Sequence, residues 1–237
     1  MSALQAVIVK ELREYFAMPI ALAVVAVFWA LCGYLFSFHL FFVNTAQMVT
    51  SFHNMIILMI LVMPLLTMRI FAEENKTGTI ELLLTLPLSD YATVIGKYLA
   101  GLLVVLLMLA GTATAVVPLV FYGDPDLGPI LGGYVGTFAF GAMFLAMGMA
   151  VSSACANQVV AALVTWGILV LLWFIDYPAA FDFFPSLSAG LMHLSLSAQH
   201  VDLIRGVLSG SAMVYFASVI AISLFISVQF LRLRRMR

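Results

Sequence analysis

Four stretches of this chain carry no Asp, Glu, Lys or Arg at all. They run for 54 residues between Glu14 and Arg69, 26 between Lys97 and Asp124, 49 between Asp126 and Asp176, and 26 between Arg205 and Arg232. A helix needs about 20 mostly apolar residues to cross a hydrocarbon core of about 30 Å. The four lengths therefore fit two, one, two and one crossings. The sequence predicts transmembrane helices over 20–42, 50–71, 98–121, 129–152, 157–176 and 211–232. The runs are continuous rather than alternating, which excludes barrel strands. Only 9% of the residues are charged and 65% are hydrophobic, where soluble domains carry about 25% charged residues. Lipid must be the solvent for much of this surface.

The few charges then orient the chain. Lys10, Arg13, Arg69, Lys76, Lys97, Arg232, Arg234, Arg235 and Arg237 fall on one side of the six expected crossings, and only Arg205 falls on the other. Short loops rich in Lys and Arg stay on the cytoplasmic side. Both termini are expected there. The loops at 122–128 and 177–210 are expected outside, where Asp124, Asp126, Asp176, Asp182 and Asp202 lie. The formal net charge of −1 argues against a nucleic-acid partner. Cys32 and Cys155 are read inside spans, as small apolar fillers. The mixed-sign start Lys10-Glu11-Leu12-Arg13-Glu14 does not resemble a cleavable signal, so the first crossing is expected to serve as an uncleaved anchor.

Residues 1–18 read as an interfacial helix. Ile8, Leu12, Tyr15 and Phe16 recur at helical spacing, with Lys10, Glu11, Arg13 and Glu14 on the opposite face. Met18-Pro19 ends this helix and starts the first crossing. The longest polar stretch on the basic side follows the second crossing. There, Thr77-Gly78-Thr79 offers caps for a short helix, Ile80 to Leu86 supplies two apolar turns, and Pro87 stops it. Ser89-Asp90 reads as the cap of the next helix. In the fourth span, Gly132, Gly136, Gly141 and Gly148 would let neighbouring helices approach closely. The 177–210 segment, broken by Pro178 and Pro185, reads as one or two short helices dipping into the outer leaflet, one of them from about Ser197 to Leu208.

No constellation for bond-making chemistry emerges. A phosphate-binding loop and a His-Glu-x-x-His zinc motif are both missing from the sequence. His39, His53, His193 and His200 all fall at or beyond the outer boundary, where interfacial roles outnumber metal ligation. Every charge falls near the end of an expected span, so no buried charge marks an ion path. The chain reads as a passive mechanical element driven from elsewhere.

Three stretches carry a resemblance. The run Arg69-Ile70-Phe71-Ala72-Glu73-Glu74-Asn75-Lys76-Thr77-Gly78-Thr79-Ile80-Glu81-Leu82-Leu83-Leu84-Thr85-Leu86-Pro87-Leu88-Ser89, followed by Gly96-Lys97-Tyr98, resembles the hallmark of ABC-2 type transporter permeases. It is most similar to the branch of gliding-motility and nitrous-oxide-reductase-maturation permeases. Lys10-Glu11-Leu12-Arg13-Glu14-Tyr15-Phe16 is similar to that branch's elbow helix. His200-Val201-Asp202-Leu203-Ile204-Arg205-Gly206-Val207 is similar to its segment before the last span. The resemblance implies an all-α membrane protein with six transmembrane helices, an N-terminal elbow helix, a cytoplasmic coupling helix over 73–87 and an outer re-entrant gate within 177–210. It implies that Glu73, Glu74, Lys76, Thr77, Gly78, Thr79, Glu81, Leu82, Leu83 and Pro87 contact an ATPase. Lys10, Glu11 and Arg13 would belong to the elbow, and His200, Arg205 and Gly206 to the gate. The implied partners are cytoplasmic ABC ATPase subunits that carry ATP and Mg, a second permease subunit, identical or related, and an accessory external or membrane subunit. No cofactor is expected in this chain itself. The implied location is the bacterial inner membrane.

Three functions are thus in play. The first is the permease subunit of an ATP-driven exporter. The second is a membrane scaffold in an assembly that no longer transports, which a partner ATPase without its catalytic Glu would reveal. The third is an intramembrane enzyme, which activity without ATP would reveal.

Overall fold

A computed structural model describes residues 3–17, 19–43, 48–79, 89–122, 126–177, 190, 194–207 and 209–235. Among these residues the secondary structure is all helical. In chain order the helices are α1 (Ala3–Ala17), α2 (Pro19–Val43), α3 (Val49–Thr67), α4 (Ala72–Thr77), α5 (Asp90–Thr112), α6 (Val116–Tyr122), α7 (Leu127–Ala154), α8 (Gln158–Phe174), α9 (Leu196–Ile204) and α10 (Gly210–Arg235). A short 3-10 turn, Ala113–Ala115, links α5 to α6.

Local chemistry sets several of these boundaries. Pro19 opens α2, where its missing N–H costs nothing. The Ser89 hydroxyl accepts from Ala92 N at 3.2 Å and caps α5, as the sequence predicts. Asp126 caps α7 by accepting from Gly128 N, and Asn157 caps α8 by accepting from Val159 N. Gly78, at φ +73°, terminates α4 in the left-handed conformation that glycine adopts without strain. The basic residues Arg232, Arg234 and Arg235 occupy the last turn of α10, where they complement the helix dipole.

Five helical stretches are long and apolar enough to cross a membrane: Pro19–Phe42, Val49–Thr77, Asp90–Phe121, Leu127–Ala154 and Gly210–Arg235. They correspond to five of the six expected crossings. The sixth, expected over 157–176, forms a 17-residue apolar helix, α8. At 1.5 Å per residue it is about 25 Å long, at the lower limit for a crossing. α5, the third of these long helices, starts at Asp90, eight residues before the expected span, because its cap lies in the polar stretch ahead of the apolar run.

α3 and α7 form the centre: 67% of the most apolar window of each is buried, against 17% for α2. α7 packs on α3, α5, α8, α9 and α10. Its glycines explain how so many helices fit around it. A Cβ at Gly141 would meet Val105 at 2.6 Å, one at Gly148 would meet the Thr67 hydroxyl at 2.2 Å, and one at Gly132 would meet the Gly206 carbonyl at 2.4 Å. Helices in lipid gain nothing from hiding apolar surface from one another. They associate through such close packing. α2 is peripheral. The Trp29 indole N–H donates to the Met108 carbonyl at 2.9 Å, and Gly111 leaves the ring its space.

Candidate functional site

Residues from five separate stretches meet at the end of the bundle that carries both termini. α1 lies against α5 at Gly96, where a Cβ would come within 2.7 Å of Val7. That close approach carries Glu11 onto Lys97, the next residue of α5. Lys97 Nζ donates to Glu11 Oε1 at 2.7 Å, to Glu74 Oε1 at 2.9 Å and to the Ile70 carbonyl at 3.0 Å. An ammonium has three donors, and all three are used. The Phe71 ring lies 5.2 Å from the same nitrogen. Lys97 is only 1% exposed and Glu11 only 4%.

This arrangement corrects the reading of α1. The sequence pattern sets Glu11 on the polar face and Phe16 on the apolar face. In the fold Glu11 and Val7 face inward while Phe16 is 52% exposed. The reason is the buried ammonium, which would be left uncompensated in a low-dielectric site without its carboxylates. Breaking such a pair by removing one partner typically costs 3–5 kcal/mol. Burial pushes the Glu11 carboxyl above its usual range, and the Lys97 charge pulls against that shift.

Lys10 closes the cluster from the surface, 3.2 Å from Glu14, 3.4 Å from Glu74 and 3.6 Å from Glu11. Burial acts to lower its pKa, but Glu11, Glu74 and Glu14 outweigh that and hold it above the usual value. A cavity of about 410 Å³ opens here, lined by Lys10, Glu14, Tyr15, Arg69 and Glu74 among others. The second oxygen of Glu74 and the Tyr15 hydroxyl are buried with no hydrogen-bond partner among the described residues.

α4 is held to the bundle from its other side. The Ser152 hydroxyl accepts from Phe71 N and Ala72 N and donates to the Met68 carbonyl, each at 3.1 Å. Asn75 Nδ2 donates to the Cys155 carbonyl at 2.8 Å. Cys155 is the C-cap of α7 rather than a residue within a span, because α7 ends at Ala154. The C-terminal helix joins the same end: Arg235 lies 3.1 Å from Asp90, and Arg232 sits over the Tyr91 ring.

The expected ATPase-contacting residues divide into three groups. Glu74 is inside the cluster, and Glu73 is half-buried, 4.0 Å from Arg69. Lys76, Thr77, Gly78 and Thr79 are exposed and project from the end of α4. Glu81, Leu82, Leu83 and Pro87 lie outside the described residues, as does the helix expected over 80–86. A described helix, Ala72–Thr77, precedes the Thr77-Gly78-Thr79 element, and Gly78 ends it. Of the elbow residues, Lys10 and Glu11 are in the cluster and Arg13 is exposed.

The far end is built differently. His53 Nδ1 of α3 and His200 Nε2 of α9 lie 2.7 Å apart, with the Trp173 ring of α8 packed edge-on to His200. His200 is 6% exposed. Burial, reinforced by the neighbouring His53, drives its pKa down to about 4. Ser197 donates to Asp176. Two residues beyond α9 comes Gly206, φ +79°, whose backbone rests on Pro129 and Gly132 of α7. Arg205 is exposed and His193 lies outside the described residues.

Sequence reasoning recognised the segments that meet at the basic end but not the contacts between them. A single Lys embedded in an apolar helix after Gly96 was the available signal, since such a charge must find carboxylates. The His53–His200 pair spans 147 residues of sequence, and no spacing rule reaches that far.

Residues 35–227 match the model of a family described as ABC-2 family transporter protein. No curated protein matches the chain.

Proposed function

The chain belongs to the ABC-2 family of transporter proteins, a multi-pass membrane family, and from that premise we propose that it is the permease subunit of an ATP-driven exporter. In this reading six helices cross the bacterial inner membrane, with α8 as the short fifth crossing, and both termini are cytoplasmic. The 73–87 segment is the coupling element on which a cytoplasmic ATPase docks, and that ATPase supplies ATP and Mg. Two permease subunits, identical or related, make the functional unit. The cargo passes between them, lined by the second and fifth crossings. α9 and its flanks form the outer gate. The resemblance of residues 69–89 to the gliding-motility and nitrous-oxide-reductase-maturation permeases supports reading the chain as a member of that branch.

The observation that carries this reading is the buried contact of Lys97 with Glu11 and Glu74. It ties the elbow helix, the coupling segment and the third helix together at one point. A push on α4 from below is then transmitted to α1 and α5 rather than absorbed by a loose loop. The exposed stretch at 76–79 beside it presents polar side chains and backbone to a partner. Membrane crossings with no charge at mid-depth fit a subunit whose energy arrives by contact.

Co-expression with the candidate ATPase tests the reading. Leu83→Asp should abolish ATPase copurification while the chain still inserts, because a docked leucine contributes roughly 1.5–3 kcal/mol on burial. Undiminished copurification by that variant would overturn the docking assignment.

A further inference from the structure

We propose that the trough between α7, α8 and α10 is a binding site for an anionic phospholipid, with one acyl chain in the trough and the phosphate on Arg234. α8 and α10 both pack on α7 but make little contact with each other. The gap between them is a cavity of about 340 Å³. α7 lines it with Ala150, Val151 and Cys155, α8 with Val164 and Ile168, and α10 with Phe230. On α10 the lining residues Ser223, Ile226 and Phe230 recur at helical spacing, and the next residue on that face is Arg234. The trough therefore runs from mid-depth toward a guanidinium at the basic end. Basic groups between transmembrane helices at that level hold anionic headgroups.

The charge inventory favours a lipid over a second copy of the chain as the occupant. Arg234 makes one weak contact, 3.4 Å to the Ser153 carbonyl, and no carboxylate pairs with it among the described residues. The carboxylates described at that end are already engaged. Asp90 has Arg235, Glu11 and Glu74 share Lys97, Glu14 has Lys10, and Glu73 has Arg69. An apolar helix from a second copy would fill the trough and leave the guanidinium without an anion. A phospholipid supplies chain and anion together. The inference rests on the membrane-spanning reading alone, so the ATPase assignment can fail without touching it.

Native mass spectrometry of the full chain, with any subunits that copurify, tests the site with phosphatidylglycerol and phosphatidylcholine of identical acyl chains. One phosphatidylglycerol should survive delipidation with about fivefold preference over phosphatidylcholine, the worth of one basic residue near an anionic headgroup. R234Q should bring the two lipids to parity, and R234K should keep the preference. A150W, which fills the trough, should lose the retained lipid without changing the oligomeric state. Equal preference in wild type and R234Q would overturn the proposal. So would dissociation of a permease dimer by A150W, because a second copy would then be the occupant.

Discussion

The two ends of this bundle are held together by different physics. At the basic end, side chains from segments up to 86 residues apart meet through charge: Glu11, Glu74 and Lys10 around a buried Lys97. Ser152 and Asn75 add hydrogen bonds to the backbone there. At the far end the described contacts include backbone against backbone, Gly132 on Gly206, a pair of histidines and the Ser197 hydroxyl on Asp176, with no buried Lys or Arg among them. A charge cluster has one good geometry and penalises every other, so the elements it joins move together. Glycine contacts are close but carry no such directional penalty, so helices can slide or separate there at lower cost. On the function proposed above, rigid transmission falls to the charged end and opening to the other.

The largest expected effect comes from breaking the charged end. Lys97→Met removes the buried cation that Glu11 and Glu74 share, leaving them only the surface-exposed Lys10. It should lower stability in detergent by about 3–5 kcal/mol, read as a drop in thermal midpoint. A drop below about 1 kcal/mol would mean that the cluster is solvated and carries little of the packing. A smaller effect is expected at the glycine contact. Gly132→Ala places a Cβ 2.4 Å from the Gly206 carbonyl, which is backbone and cannot rotate away. Overpacking of this kind costs about 1–3 kcal/mol. The damage should stay local, raising protease access around α9 while the contacts of α1 and α4 remain.

The smallest effect is conditional on pH. His200 in the fold prefers the neutral form, with its pKa driven to about 4 from an ordinary value of 6.5. A group with a lowered folded pKa binds fewer protons in the packed state than in the open state. The α3–α9 contact should therefore be intact above about pH 6.5 and weaken progressively as pH falls toward 4. Protonation of His200 would then put a charge into a buried site. The groups around the pair are the Trp173 ring, the Ser197 carbonyl and, through Ser197, Asp176. Hydrogen exchange of α9 measured from pH 7 to 4 reads this directly. His200→Phe should flatten the profile, and an unchanged profile in that variant would assign the titration elsewhere.

Much of the architecture was legible in sequence because lipid imposes a length rule. Charge-free runs, Pro19 and Ser89 mark where helices lie and start, and five membrane-length helices lie close to where those marks put them. α8 is the exception. Its start, capped by Asn157, lies where the sequence puts it, but the helix ends at Phe174, leaving 17 residues. The candidate site was legible as three segments and not as one place. Amphipathic periodicity assigns a charged residue to the solvated face, which misplaced Glu11. Only the partner, Lys97, reveals why a glutamate turns inward. The glycines of α7 were legible as close-packing positions, but which helix each one receives depends on tertiary contacts that no spacing encodes.

The central claim is that α1, α4 and α5 behave as one body because Lys97 joins them. Spin labels at Arg13→Cys on α1 and Lys76→Cys on α4, in a chain with Cys32 and Cys155 replaced, report the separation of two of these elements by pulsed electron resonance. In the assembled complex the 13–76 distance should stay constant between nucleotide-free and ATP-bound states, and should become broad or ATP-dependent once Lys97→Met is added. A wild-type distance that shifts with ATP while Lys97 is intact would contradict the claim.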